Sequence, residues 1–246
     1  MASAAEFELK LQVSPSIDEK TIDHFAERQI GNIKPEPDLE HVALSGALKT
    51  AREEAHALVA LANATYADTS QPPAAAAIQV ATAARKSSER VTARLLAAQA
   101  KVDTTIASLE QLTFAPLPDA DVGEKFDKEI RFALQGMTPS NRKQTLNEAF
   151  EAGDMSIIGS ALRAPGLLTG MTAFELAALR HRFRQKHFPV EMARLERLKK
   201  MRAALDTGAG AFTKLVKQAA DTKFANAAIA ARSKRESVLA AHQQEA

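Results

Sequence analysis

The stretch Leu44-Ser45-Gly46-Ala47-Leu48-Lys49-Thr50-Ala51-Arg52-Glu53-Glu54-Ala55-His56-Ala57-Leu58-Val59-Ala60-Leu61-Ala62 decides the fold. Its apolar positions Leu44, Leu48, Ala51, Ala55, Leu58 and Ala62 step by four, three, four, three and four. That spacing sets them on one seam of a helix, as two helices need in order to wrap around each other. A second seam follows: Ser88, Val91, Leu95, Ala98, Val102, Thr105, Leu109 and Leu112. Between the two, Asp68-Thr69-Ser70-Gln71-Pro72-Pro73 turns the chain. The pattern predicts an all-α protein with an elongated Ala-rich antiparallel hairpin over 38–115, its helices running to about Ala67 and about Phe114.

Composition explains how such a seam must pack. Of the 246 residues 46% are apolar, but aromatics make up only 5%, with no Trp and one Tyr, while about one residue in five is Ala. Each methylene withheld from a core forgoes roughly 0.8 kcal/mol. Small residues compensate only if the helices approach closely over a long contact, so the expected build is extended.

Outside the hairpin the chain reads as three further segments. Residues 1–37 open with Phe7, Leu9, Leu11 and Val13 alternating with Glu6, Glu8, Lys10 and Gln12, a period-two strand signal. No second run of that quality follows, so this strand would either take an edge on another chain or stay a poorly ordered arm; the first is the reading adopted, with these four residues as the expected partner-docking arm. Ser16-x-x-Glu19 reads as a capping box opening a short helix with Ile22, Phe25, Ala26 and Ile30 on one face.

Residues 119–188 carry several short, capped helices and much of the bulky apolar content. Asp121-x-x-Glu124 precedes a face of Phe126, Ile130, Ala133, Leu134 and Met137. Thr138-Pro139 and Asp154 cap the next two helices, Gly153 closes the first of them, and Thr172-x-x-Glu175 forms another box. Residues 189–246 predict a long basic C-terminal helix with the seam Leu198, Met201, Leu205, Gly208, Phe212, Leu215, Ala219 and Thr222, where Gly208 and Gly210 suggest a kink.

Charge is polarised. Residues 1–169 hold 17 Lys+Arg against 23 Asp+Glu, a net of −6, and residues 170–246 hold 15 against 7, a net of +8. An acidic front and a basic rear can pair between copies, or offer the basic part to an acidic partner or to DNA. Arg180, Arg184, Lys199, Lys200 and Arg202 are the expected anion-binding residues. Few aromatics are present to stack on bases, so any DNA contact would be non-specific.

Chemistry leaves little trace. Without cysteine there is no disulfide, thiolate metal site or cysteine nucleophile. Glu53-x-x-His56 has the spacing of di-iron helical sites but lacks the second motif those sites require. Phosphate-cradling glycine loops, Gly-x-Ser-x-Gly and His-Glu-x-x-His do not occur. Neither a signal peptide nor a membrane span is expected, the longest uncharged run, Thr69 to Ala84, falling short of the ~20 residues a span needs.

The central stretch Gly153-Asp154-Met155-Ser156-Ile157-Ile158-Gly159-Ser160-Ala161-Leu162-Arg163-Ala164-Pro165-Gly166-Leu167-Leu168-Thr169-Gly170-Met171-Thr172 resembles a pattern in uncharacterised tailed-phage and prophage virion-module proteins. There a short helix ends at Ala-Pro before Leu-(Ser/Thr)-Gly-Met/Leu-Thr and a basic helix. The resemblance spans about 140–205 and carries no assigned functional residues. It implies a structural or assembly protein (scaffold, internal or connector-associated) in the virion or the host cytoplasm. Its partners would be copies of itself or capsid and connector proteins, and it would need no cofactor. The alternative is a DNA-associated helical protein using the basic C-terminal helix.

Overall fold

The computed structural model describes residues 11–26, 38–114, 123–220 and 223–244, and these are all-α. In chain order the helices are α1 (Lys20–Asp23), α2 (Leu39–Ala67), α3 (Pro73–Leu112), α4 (Gly123–Gly136) and α5 (Pro139–Ala152). They continue with α6 (Met155–Leu162), α7 (Gly166–Thr169), α8 (Ala173–His187), α9 (Pro189–Ala220) and α10 (Lys223–Gln244). By contact the chain forms two compact units. One comprises Met1–Thr104 with Arg197–Ala246, the other Thr105–Glu196.

In the first unit the α2 seam is buried as its spacing predicts: Leu44, Leu48, Ala51, Ala55, Leu58 and Ala62 all lie inside. Cross-helix bonds fix the hairpin's direction. Glu54 accepts from Ser87 at 2.7 Å and from Arg90, and Arg94 donates to the Thr50 hydroxyl at 3.0 Å. Partners advance on α3 as they retreat on α2, so the two helices are antiparallel. Within this unit the second seam is buried at Val91, Leu95, Ala98 and Val102, with Ser87 buried in place of Ser88. On the part of α3 that belongs to the other unit Thr105 is half-buried, Leu109 is buried, and Thr113 is buried in place of Leu112, which is 59% exposed.

α9 joins this pair through Leu198, Met201, Leu205, Phe212, Leu215 and Ala219, all buried. Gln99 donates to Asp206 at 2.8 Å and Arg202 to Asp103 at 3.0 Å, so α9 runs antiparallel to α3. Gly208 does not break it: α9 is continuous from Pro189 to Ala220. A Cβ there would stand 2.5 Å from Leu48 Cδ1 and 2.8 Å from the Ser16 carbonyl oxygen, so the glycine admits close approach of three segments. Gly210 has open space around it, and α9 passes through both positions. The expected single C-terminal helix is described as α9 and α10, with 221–222 outside the described residues.

The N-terminal segment departs from expectation. Among the described residues there is no strand, so the ladder edge that Leu11 and Val13 would join is not seen. Pro15 sits in a turn closed by Ile17 N–H donating to the Ser14 carbonyl at 3.0 Å. Leu11, Ile17 and Ile22 are buried. Phe7 and Leu9 lie outside the described residues. The Ser16–Glu19 box does not form. Asp18 caps Lys20 N–H at 3.0 Å instead, and Glu19 accepts from Arg52 of α2 at 2.6 Å. The helix is a single turn, α1, after which Phe25 and Ala26 N–H donate three residues back, to the Ile22 and Asp23 carbonyls at 2.9 and 3.0 Å, and Ile30 lies outside the described residues.

The second unit is built by caps and bulk. Thr138 accepts from Asn141 N–H, and Gly153 closes α5 in the left-handed region at φ 74°. Asp154 accepts from Ser156 and Ile157 N–H at 3.0 and 3.1 Å. Thr172 and Glu175 form the reciprocal box, Glu175 accepting from Thr172 N–H at 2.7 Å. Leu134, Leu146, Phe150, Ile158, Leu162, Met171, Leu176, Leu179 and Phe183 pack as one core. Here the α4 face differs from its reading. Asp127 points inward, while Phe126 and Ala133 are exposed.

Candidate functional site

Two buried ions hold the frame of the second unit. Asp127 of α4 accepts from Ser160 Oγ at 2.5 Å and from Arg163 Nη2 at 2.7 Å and Nε at 3.0 Å, with Arg131 Nη2 at 3.1 Å. Burial pushes the Asp127 carboxyl upward, but Arg163, Ser160 and Arg131 together hold it below the usual carboxylate range. A carboxylate with every lone pair engaged by donors is a tie between α4 and α6 and a poor proton acceptor. Arg142 of α5 is the second ion. Its Nη1 donates to the Leu134 carbonyl at 3.3 Å and the Thr169 carbonyl at 3.0 Å, the C-terminal ends of α4 and α7. Gly170, at φ 68°, leaves the room that this guanidinium occupies.

That frame fixes a groove between α5 and α8 of about 300 Å³. Leu146, Met171 and Leu179 form its floor, Phe174 and Ala178 one wall, and Lys143, Glu175 and Arg182 the rim. Phe174 is 82% exposed, held at the start of α8 by the Thr172–Glu175 box. The Thr172 N–H and hydroxyl, followed by the charges of Arg142 and Lys143, keep Glu175 below the usual carboxylate range, so the rim stays zwitterionic. Arg182 is pinned across the Phe150 ring at 4.0 Å and donates to Asn147 at 2.7 Å and Glu151 at 2.5 Å. An apolar floor beside an exposed aromatic, inside a charged rim, matches the anatomy of protein-interface anchors. The unit also exposes Phe132 and Leu167, 78% and 81% accessible. Gln135, one turn after Phe132, donates to the Leu167 carbonyl at 3.3 Å, so α4 and α7 present apolar side chains around one contact.

The cations expected to bind anions are largely engaged within the chain. Arg180 lies 4.4 Å over the Phe114 ring and donates to the Leu162 carbonyl at 3.3 Å. Burial, and then neighbouring Arg184, lower its pKa. Arg184 donates to the Thr113 and Glu110 carbonyls at 3.0 and 3.1 Å, at the C-terminal end of α3 where a cation is favoured. Arg202 bonds Asp103 and Asp206. Burial lowers its pKa, but those two carboxylates outweigh it and raise it overall. Lys199 and Lys200 are exposed on α9. Arg180 and Arg184 belong to the second unit, the other three to the first.

Glu53 and His56 are exposed on α2, and no group of three or more candidate ligands could hold a metal among the described residues. Among those residues, too, no helix is long and apolar enough to cross a membrane. Sequence reasoning missed Asp127, Arg142 and Phe174. Phe174 alone carried a signal: it falls two residues after a capping Thr, where the Met171–Leu176 staple already supplies the inward contacts. No family model matches the chain, and neither a curated protein nor a solved structure matches it.

Proposed function

We propose that this chain is a non-enzymatic structural or assembly protein that engages other protein subunits through the α5–α8 groove. The observation that carries the reading is Phe174, exposed beside a groove floored by Leu146, Met171 and Leu179. Exposing a large aromatic is unfavourable for an isolated unit, and fixing it with a capping box puts it in one place for a partner to find. The phage virion or assembly setting rests on the resemblance of 140–205 to virion-module proteins. The DNA-associated reading keeps Lys199 and Lys200, exposed on α9, but not Arg202, which serves Asp103 and Asp206 inside the chain, and it leaves Phe174 and its groove without a role.

Affinity purification of the tagged full chain from its native source tests this, with Phe174→Asp and Ala178→Trp in parallel. Ala178 lines the groove and is exposed, so a Trp there fills the groove without entering the core. One protein subunit should be retained by the parent chain and lost from both variants, while circular dichroism melts stay unchanged. Retention of the same subunit by both variants, or of nucleic acid alone by the parent, contradicts the proposal.

A further inference from the structure

A second groove lies in the first unit, between the start of α3 and α10, and its chemistry differs from the first. It encloses about 800 Å³. Ala75 and Ile78 of α3 and Ala231 of α10 supply apolar surface, while among the described residues Lys86, Arg232 and Arg235 are its charged lining and no carboxylate lines it. All three cations are exposed, as is every α10 residue from Ala230 to Ala241. An exposed helical stretch of that length is marginal in water without packing.

We infer that this groove takes an acidic amphipathic helix from a partner protein. Size, surface and charge agree on that occupant. An α-helix about 10 Å across occupies roughly 400 Å³ per 5.4 Å turn, so the groove admits about two turns. Alanine on both walls lets a helix backbone approach closely, and Ile78 gives its apolar face a contact. Arg232 and Arg235, three residues apart on α10, face one row of carboxylates at i, i+3 or i+4, with Lys86 on the opposite wall for a second row. Arg232 holds Glu236 at 2.8 Å, but that pair is solvent-exposed and contributes little, so an incoming carboxylate can replace it. A nucleic-acid backbone would use the cations and leave the Ala and Ile surface unmatched. The inference rests on reading the chain as a protein-binding one and deepens it with the chemistry of a partner.

Fluorescence anisotropy on the full chain tests it, using two labelled helical peptides. Both carry Leu and Ala on one face; the other face is Glu in one peptide and Lys in the other. The Glu peptide should bind and the Lys peptide should not. Arg232→Glu with Arg235→Glu should weaken the Glu peptide at least about tenfold, as expected when paired charges are reversed. Ala75→Trp should block it by filling the groove. Failure of the Glu peptide to bind, or equal binding to the charge-reversed protein, overturns the inference. So does displacement of the peptide by anionic phospholipid vesicles or by duplex DNA. Phe174→Asp lies in the other unit and should leave this titration unchanged, so the two sites fail separately.

Discussion

The two units bury their helices by opposite means. The first relies on length and closeness: Ala51, Ala55, Ala62, Ala84 and Ala98 line its seams, and Gly208 admits Leu48 and the Ser16 carbonyl where a side chain would not fit. The second relies on bulk and punctuation, with Phe150, Phe183, Ile158 and Met171 in its core and a side-chain cap opening α5, α6 and α8. Their polar groups differ accordingly. In the first unit the helix-to-helix bond of Arg90 to Glu54 lies at the surface, whereas in the second Asp127 and Arg142 lie inside. Along the Ala-lined seams close packing leaves little interior volume, and the carboxylate this unit buries, Glu40, sits at the start of α2 and not within the seam. A core of short helices meeting end-on leaves carbonyl ends that an ion must satisfy.

The largest expected effect is at Asp127. Asp127→Ala leaves Arg163 and Arg131 without their carboxylate and should cost about 3–5 kcal/mol in urea denaturation. Arg90→Ala, cutting the exposed pair of the first unit while leaving Ser87 bonded to Glu54, should cost under about 1 kcal/mol. Equal losses would erase the contrast. The pH dependence follows the same residue. The folded pKa of Asp127 is depressed, so its contribution is present above the unfolded value near 3.9 and fades as pH falls through that value toward the folded one. Acid titration of the parent against Asp127→Asn should show that loss in the parent only.

Overpacking comes next. Ala55→Leu or Ala98→Leu should cost about 1–3 kcal/mol by forcing the helices apart, while Ala57→Leu on the exposed face of α2 should be neutral. Neutral melts for the first two would show that the seam tolerates larger side chains and is not closely packed.

The smallest effect separates two glycines two residues apart on a helix. Gly210→Ala should stabilise by about 0.5–1 kcal/mol, since nothing stands within 4 Å of the new Cβ. Gly208→Ala gains the same propensity but meets Leu48 and the Ser16 carbonyl, and should destabilise. Matching signs in thermal melts would remove close approach as the reason for Gly208.

How legible each unit was follows from the same contrast. A seam repeats, so Leu44 through Ala62 could be placed from spacing alone, and Leu198 through Ala219 likewise. Caps are local, so Thr138, Asp154 and Thr172 could be placed too. Asp127 could not. Its burial depends on Ser160 and Arg163, more than thirty residues away, and its own neighbourhood offers Phe126 as the obvious inward residue. Arg142 is the same kind of miss, decided by carbonyls at Leu134 and Thr169. Arg180 and Arg184 looked like ligands for anions because their partners, Phe114, Leu162, Thr113 and Glu110, lie outside α8 in sequence. Leu11 and Val13 alternate as a strand would, but alternation cannot report whether an edge exists to receive it.

The central claim is that subunit docking at Phe174 belongs to the second unit's α5–α8 groove, separate from the acidic-helix groove proposed for the first unit and from the exposed middle of α3. Site-specific photocrosslinking in the native source tests it most directly, with a benzophenone amino acid at Phe174 or at Leu96, an exposed α3 position of the first unit. The probe at 174 should give a single adduct with another protein subunit, lost when Ala178→Trp is added, and the probe at 96 should give none. Adducts from 96 and not 174, or a 174 adduct that survives Ala178→Trp, would contradict the account.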